Sequence, residues 1–394
     1  MQRKWRYSFL TMALVAFLLA GCTANAPQSG APSLPESGGA QQGVPENESS
    51  YPELETLVSL GQRFSSAGTE DGAYVRLTRE DYSEVLTFID YKAQVGVPLC
   101  SQANCAHSDD TCTAWLLSGW NNVFVWNGKL YVTSTSNTGD VLLEMDLNGQ
   151  NRREVVRMES STSFDTGAIL GSEDALFFGV RVYDTETAEY RNEIRRLNPA
   201  TGEMQKMYSR DGAASSSFAI MGACEDKIVI KYTDSVNLVQ DLDNPDNPTV
   251  EIYCIDQTGA PVQGDTISYT QENKAIAYIG TCLYLADSAE GTITTYDLRS
   301  GSESAFQDDR LRSRSVYLYG GQQEGPNISV GRENSKEAPD WYLYHDGMLI
   351  PSQYAAFGEL DSRVKNRVVA DAGDSYLVQR DYNDSNPKFS LVVK

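Results

Sequence analysis

Histidine is nearly missing from this chain: only His107 and His345 occur among its 394 residues. The sequence also contains no G-x-S-x-G nucleophile elbow, no G-x-x-x-x-G-K-[ST] phosphate loop, no H-E-x-x-H motif and no dinucleotide-binding fingerprint. Hydrolysis through a histidine-activated nucleophile is therefore not indicated. Paired carboxylates could still support glycoside chemistry, but among 54 acidic residues the sequence does not single out a pair.

Positive charge is also scarce. Lysine and arginine total 32 against 54 aspartate and glutamate residues, which gives a formal net charge of -22. Proteins that bind nucleic acids or anionic membrane surfaces neutralise phosphates with lysine and arginine, so this balance argues against both as partners. An acidic surface instead keeps a protein soluble.

The one long apolar run lies near the N-terminus, at residues 7–20, after three basic residues within the first six positions. It leads into Leu-Ala-Gly-Cys, which ends at Cys22. This order is typical of a bacterial lipoprotein signal, which is cut before the cysteine whose thiol carries a diacylglycerol. A membrane anchor or an ordinary signal peptide is the alternative, but a span needs about 20 residues. We therefore predict a signal peptide at 1–21, lipidation of Cys22 and a position on the outer face of the cytoplasmic membrane.

Large apolar side chains are nearly absent from residues 22–50, which are rich in Gly, Pro, Ser, Ala, Gln and Asn. Such a segment cannot bury enough surface to offset its chain entropy, so we predict a flexible tether that begins at the lipidated cysteine. The remaining residues, 51–394, exceed the usual size of one domain. Because β-rich folds of this length often form a single unit, we predict one domain there.

A hairpin-turn pattern recurs in this domain at intervals of roughly 40–60 residues, without a repeated sequence. Asp or Asn opens each turn and Gly closes it, which supplies the local hydrogen bond and the positive φ that such hairpins need. The clearest turns are Asp146–Gly149, Asn198–Gly202, Asp256–Gly259 and Asp297–Gly301. Short alternating strands lie between the turns and no stretch has a convincing helical pattern, so the sequence predicts an all-β fold.

Strands repeated at this interval are typical of a β-propeller, in which four-stranded blades surround a central channel. We count seven candidate blades; six or eight remain open, and an array of β-sandwiches is the alternative fold. The seven segments are 64–102, 121–158, 163–209, 217–268, 275–309, 315–355 and 363–394. The last segment has no evident fourth strand, and residues 53–62 could supply it and close the ring between the chain ends.

One cysteine cluster has the composition of a metal site. Cys100, Cys105, His107 and Cys112 follow one another with the spacing C-x4-C-x-H-x4-C in a polar stretch. Three thiolates and one imidazole are the ligand set of a closed tetrahedral zinc site, which is structural because no position is left for water. A disulfide that leaves one thiol over, and unliganded thiols, are the alternatives in an exported chain.

Other residues with potential chemistry are expected to be structural. A cysteine in an apolar strand behaves as a small hydrophobic residue, as we expect for Cys224, Cys254 and Cys282. His345 precedes a hairpin turn. The acids of 240–248 alternate as calcium ligands do, but the loop lacks the central Gly and terminal Glu of a calcium loop, so a solvated loop is expected.

The segment from Leu99 to Tyr131 carries a family resemblance. The string Leu-Cys…Cys-Ala-His…Cys-Thr-Ala-Trp, followed by Asn-Gly-Lys-Leu-Tyr at 127–131, resembles a family of uncharacterised propeller-like lipoproteins of Gram-positive anaerobes. The resemblance implies a propeller that follows a signal and a low-complexity tether, lipidated outside the cell, and it implies no activity. Disulfides would be scarce in such an anaerobe, which would favour a metal over a bridge.

These features predict a monomeric cell-surface lipoprotein that acts as a non-catalytic binding or interaction module for a protein, peptide or glycan. The membrane is contacted through the lipid on Cys22. The alternative is a surface carbohydrate-active enzyme, which would need two carboxylates about 5–10 Å apart in a deep channel pocket. A binding module would show a shallow or aromatic funnel, and a scaffold that spaces cell-wall partners would show neither.

Overall fold

The computed structural model describes residues 51–60, 66–79, 83–117, 119, 122–135, 138–165, 167–187, 189–211, 216–234, 248–262, 264, 266–312, 314–319, 325–331, 339–352, 367–372, 375–380 and 388–393. Residues Ser49–Lys394 form one compact unit. The predicted signal peptide at 1–21, lipidation site Cys22 and tether lie outside the described residues, as does the acidic stretch 241–247. No helix within the described ranges is long and apolar enough to cross a membrane.

Thirty β-strands lie in these ranges, and every pairing between them is antiparallel within one of seven sheets, which we call blades one to seven. The first strand of the chain is β1 (Glu55–Val58). Blade one contains β2 (Ala67–Gly68), β3 (Gly72–Thr78), β4 (Glu84–Asp90), β5 (Val95–Pro98) and β6 (Trp115–Leu116). Blade two contains β7 (Val123–Trp126), β8 (Lys129–Ser134), β9 (Val141–Asp146) and β10 (Arg153–Arg157). Blade three contains β11 (Thr162–Phe164), β12 (Ile169–Gly171), β13 (Leu176–Asp184), β14 (Glu189–Asn198) and β15 (Glu203–Asp211).

The remaining blades follow in chain order. Blade four contains β16 (Ser217–Cys224), β17 (Lys227–Asp234), β18 (Thr249–Ile255) and β19 (Ile267–Thr270). Blade five contains β20 (Lys274–Ile279), β21 (Cys282–Asp287), β22 (Thr292–Asp297) and β23 (Ser302–Gln307), and a 3-10 helix (Asp309–Leu311) follows it. Blade six contains β24 (Val316–Tyr319), β25 (Asn327–Val330), β26 (Asp340–His345) and β27 (Met348–Pro351). Blade seven contains β28 (Arg367–Asp371), β29 (Ser375–Arg380) and β30 (Lys388–Val393).

Alternate side chains of one strand face different neighbouring blades, because successive residues of a strand point to opposite sides of its sheet. In β8, Leu130 and Val132 pack toward blade one while Tyr131 packs toward blade three, and all three are buried. Both faces of the sheet are therefore covered at this strand, which explains why β8 contains three consecutive apolar residues.

The hairpin turns form as the Asn/Asp-Gly signals predict. Asn127 and Gly128 join β7 to β8 with φ of 47° and 71°, and Asp346 and Gly347 join β26 to β27 with φ of 46° and 71°. Two consecutive residues with positive φ make the tight turn whose twist matches antiparallel strands, and Asn, Asp and Gly reach that conformation at the lowest cost.

Apolar clusters join the blades into a ring. Each blade from the first to the fifth shares a buried cluster with the next one along the chain. A further cluster joins the two ends of the ring: Ala73, Val75 and Ile89 of blade one pack against Leu377 and Phe389 of blade seven. The predicted all-β propeller with seven blades is thus confirmed.

The inner side of the ring is formed by one strand from each blade, namely β2, β7, β12, β16, β20, β24 and β28. These inner strands contact one another between blades, as in the pairs β2 with β7, β2 with β28, β12 with β16, β16 with β20 and β20 with β24. Each except β12 is the first strand of its blade along the chain; in blade three the short β11 precedes β12, and both pair with β13.

The prediction that residues 53–62 complete the last blade is wrong. Strand β1 pairs with β12 of blade three, with Glu55 opposite Gly171, and the described part of blade seven has three strands. The pairing contains a bulge between Thr56 and Val58, which adds Leu57 as an extra residue. Leu57 and Val58 therefore both pack into the apolar cluster between blades two and three.

Strand β1 thus lies on the channel side of the inner strands and contacts β7, β12 and β16. Its neighbours extend the contact: Leu54 packs between blades three and four, and Leu60 between blades four and five. The amide of Leu54 donates to the carbonyl of Glu225 at 2.8 Å, and the amide of Ala223 donates to Oγ1 of Thr56 at 3.0 Å. The N-terminal strand is therefore tied to the inside of the propeller and not to its rim.

Candidate metal centre

Residues 99–114, here called the cysteine loop, leave and rejoin blade one at the same edge of β4. Pro98, at the end of β5, lies opposite Thr87, and Trp115, at the start of β6, lies opposite Val85. The two ends of the loop are therefore fixed two residues apart along one strand, which offsets part of the entropy cost of ordering the loop.

The cysteine loop brings all four predicted ligands together. One side-chain atom each of Cys100, Cys105, His107 and Cys112 lies within 4.8 Å of the other three. Nδ1 of His107 is 3.2 Å from Sγ of Cys112. Ligand bonds of ~2.0–2.3 Å in a tetrahedral site place neighbouring donor atoms ~3.3–3.8 Å apart, so the side chains need to close by only about 1 Å to surround a metal ion. The Cys/His cluster can hold a metal ion.

Each sulfur of the cluster accepts a backbone hydrogen bond from the residue two positions later. The amides of Gln102 and His107 donate to Sγ of Cys100 and Cys105, both at 3.4 Å, and the amide of Ala114 donates to Sγ of Cys112 at 3.3 Å. Such bonds stabilise thiolates and orient them as ligands. The backbone bends sharply to allow this, because Asn104 and His107 have positive φ of 60° and 53°.

The thiols of this cluster differ in pKa. Burial opposes ionisation of Cys100, but hydrogen bonds from the Gln102 amide and the neighbouring thiols outweigh it and lower the pKa of Cys100 to about 7. Burial, together with the negative charge on Cys100, raises the pKa of Cys112 to about 11. One thiolate thus forms readily and the next one does not, because like charges repel. A bound cation would remove this repulsion and displace the remaining protons.

Two arginines that sequence reasoning did not identify hold the cysteine loop from outside. Arg79, directly after β3, donates from Nη1 to the carbonyls of Ala106 at 3.1 Å and His107 at 2.5 Å. Arg152, in the hairpin before β10, donates from Nη1 to the carbonyl of Thr113. Nothing in the local sequence signals these contacts, since each arginine lies more than 25 positions from the residue it binds.

The cysteine loop also packs against blade two. Gly149 has φ of 79°, and a Cβ at that position would lie 2.8 Å from the carbonyl oxygen of Leu99. A side chain there would therefore separate the β9–β10 hairpin from the start of the loop. Arg152, half-buried in the same hairpin, has its pKa lowered by burial, while Cys112 acts to raise it. The loop thus contacts blade two through one glycine and one cation.

The other predicted residues lie apart from this centre. Cys224, Cys254 and Cys282 lie in β16, β18 and β21, and Cys224 is buried among apolar residues. The six described cysteines are free thiols. His345 is the last residue of β26, and its Nε2 lies 3.3 Å from Oδ2 of Asp346. It does not approach the cysteine cluster.

Comparison with known proteins shows similarity of fold only. No protein-family model matches the chain, and no curated protein matches it. Among solved structures, an oligogalacturonate lyase of Vibrio parahaemolyticus is similar with a TM-score of 0.51 and 10% identity, over 86% of this chain and 91% of the lyase. A PL25 ulvan lyase bound to -[GlcA(1-4)Rha3S]- is similar with a TM-score of 0.50 and 8% identity, over 87% of this chain and 95% of the lyase. The β-propeller domain of the Trilobed protease of Pyrococcus furiosus aligns over 82% of this chain and 91% of its own, with a TM-score of 0.45 and 10% identity.

Proposed function

We propose that the protein is a lipid-anchored propeller on the outer face of the cytoplasmic membrane, which binds a ligand without converting it. We further propose that its cysteine loop holds one structural zinc ion. The anchor follows from the signal pattern that ends at Cys22. The two remaining parts of the proposal, the metal and the absence of catalysis, are supported by separate observations.

The donor set supports zinc. Three thiolates and an imidazole suit a borderline-soft cation without a geometric preference of its own, and zinc is the common occupant of tetrahedral sites with this composition. All four positions would be filled by Cys100, Cys105, His107 and Cys112, so the ion would have no open site for substrate or water. It would order the cysteine loop and carry no chemistry.

The scarcity of acidic residues on the inner strands supports the proposal that the protein is not an enzyme. The sequence of the seven inner strands contains one acidic residue, Asp371. Strand β1, which lies inside them, adds one acid, Glu55, and it is exposed. Catalysis by carboxylates needs two such groups about 5–10 Å apart across a substrate. The described strands that form the channel wall thus carry few acids, and β1 covers them along three blades, which does not favour the carbohydrate-enzyme alternative.

One experiment with two arms tests this function. In the first arm, Cys22→Ser is expected to move the protein out of the membrane fraction, because no other cysteine follows the signal in a position to take the lipid; Cys282→Ser is the matched control. Unchanged fractionation of Cys22→Ser would contradict the anchor. In the second arm, the full chain is incubated with glycosides, polyuronides and esters, and no turnover is expected. Hydrolysis or elimination that a single Asp or Glu substitution abolishes would establish the enzyme alternative instead.

A further inference from the structure

A groove of about 500 Å³ opens between blades five and six. Blade five contributes Lys274 at the start of β20 and the loop after β21, and blade six contributes the residues at the start of β24. The lining consists of Asn273, Lys274, Ser288, Ala289, Arg314, Ser315, Val316 and Tyr317. It is open to solvent and predominantly polar, which differs from the closed apolar pocket that suits most small cofactors.

The charge of this groove is opposite to that of the protein. None of the lining residues is acidic, although the chain carries 54 acids and a net charge of -22. Of its two cations, Lys274 is paired with Asp287 through Nζ and Oδ2. Arg314 forms no ion pair with the described residues around it, so its guanidinium is available to a ligand. In an acidic protein, a groove with a net positive lining favours an anionic ligand.

The other polar groups of the groove are suited to hydroxyl groups. Ser288 is held in place, because its Oγ donates to the carbonyl of Asn273 at 3.1 Å, which leaves the hydroxyl oxygen as an acceptor. The Asn273 amide and the Ser315 hydroxyl make no side-chain hydrogen bond within the part of the chain that the structure describes. They provide donors and acceptors on both sides of the groove.

One aromatic ring completes the set. Tyr317 lies in β24, three residues after Arg314; it is 56% exposed and lines the same groove. A tyrosine ring offers an apolar face beside a polar tip, which fits a ligand that has both an apolar ring face and hydroxyl groups. Apolar anchor pockets of the kind that hold peptide side chains are not formed, since Ala289 and Val316 are the only aliphatic members of the lining.

From this set we infer that the groove between blades five and six binds an acidic glycan, that is, a polysaccharide segment with carboxylated sugars. The planar fork of Arg314 takes the carboxylate through two parallel hydrogen bonds, a geometry that lysine does not offer. Tyr317 lies against a sugar ring, and Asn273, Ser288 and Ser315 bond to its hydroxyl groups. This inference rests on the proposed function and names the ligand class of the binding module.

The test is calorimetric titration of the full chain with oligogalacturonate as the acidic probe and a maltooligosaccharide of equal length as the neutral one. Only the acidic probe is expected to bind, more weakly as salt is added, because an open groove is accessible to screening ions. Arg314→Gln is expected to weaken binding about tenfold or more, since it removes a charged hydrogen-bond donor. Tyr317→Ala is expected to weaken it less. Arg299→Gln, an exposed arginine in the β22–β23 hairpin, is the matched control and keeps the affinity.

Four results would overturn the groove assignment: no binding of either probe, equal affinity for both probes, unchanged affinity in Arg314→Gln, or equally tight binding of polyglutamate, which would identify an acidic peptide. Failure of the proposed function has a different signature. Conversion of oligogalacturonate to shorter products would contradict the proposal of a non-catalytic module. The groove assignment would still stand if Arg314→Gln weakened binding. Absence of both binding and conversion would contradict the groove alone.

Discussion

The chain has two sets of described cysteines, and their surroundings differ sharply. In the cysteine loop, every sulfur accepts an amide hydrogen bond, and the cluster includes an imidazole. In blades four and five, Cys224, Cys254 and Cys282 lie on strands, and burial raises the pKa of each thiol, to about 11 for Cys254. Number and residue type are the same in both sets. The backbone donors two positions after each sulfur, together with the histidine, separate a ligand set from core packing.

The largest effect is expected when one cysteine is removed from each of the two sets. Cys112→Ala is expected to abolish zinc binding, whereas Cys254→Ala keeps one zinc per chain. Losing the ion costs about 3–4 kcal/mol of stability when free zinc exceeds its dissociation constant by about 100- to 1,000-fold. The strand substitution costs about 1 kcal/mol, the effect of a small cavity. Elemental analysis and urea unfolding measure the two quantities, and equal zinc contents would refute the assignment.

A smaller effect is expected from the cation beside the cysteine loop. Zinc with three thiolates and a neutral imidazole has a net negative charge, and Arg152 donates to the carbonyl of Thr113, next to Cys112. Arg152→Met is expected to weaken zinc binding about 10- to 100-fold, the range found for groups that orient metal ligands. Arg153→Met removes an exposed ion pair with Glu144 and leaves zinc affinity unchanged. Competition with a chromophoric chelator measures both variants; similar losses in the two would point to a general effect of charge.

The smallest expected effect is a difference in thiol reactivity, which is measured without changing the sequence. In metal-free protein, the rate of alkylation of Cys100 by iodoacetamide is expected to rise as pH increases through about 7, because the thiolate is the nucleophile and its pKa is lowered to that value. Cys254, with a pKa raised to about 11, stays unmodified at neutral pH. Zinc is expected to protect Cys100. Peptide mass spectrometry at a series of pH values follows each thiol. Alkylation of Cys254 at neutral pH as fast as that of Cys100 would contradict the comparison.

Local features of the fold and site were predictable from sequence, because they depend on neighbouring residues. Turn signals such as Asn127-Gly128 fix hairpin positions through their own φ values. The C-x4-C-x-H-x4-C spacing predicts the cluster of ligands because a single short loop can bring all four to one centre. The number of blades follows from counting such hairpins.

Partners that are distant in the chain were not predictable. Strand β1 is four residues long, and its sequence is compatible with many strand edges; its place beside β12 depends on apolar clusters formed by blades two to five. The contacts of Arg79 and Arg152 with the cysteine loop, and the groove that residues of two blades line together, likewise arise only once the ring has closed. Loop and strand patterns contain no information about these pairings.

The position of β1 has a mechanical consequence. A pull on the chain upstream of residue 51 first reaches Pro52 and Leu54, whose backbone groups bond to Gln257 and Glu225 of blade four. It is then carried by the β1–β12 ladder in blade three. The pulling force is therefore shared among the innermost strands of several blades and does not separate an outer strand from the edge of its sheet. Under the proposed lipid anchor at Cys22, a force on the tether would therefore reach the inner strands first and leave the outer strands of the blades undistorted.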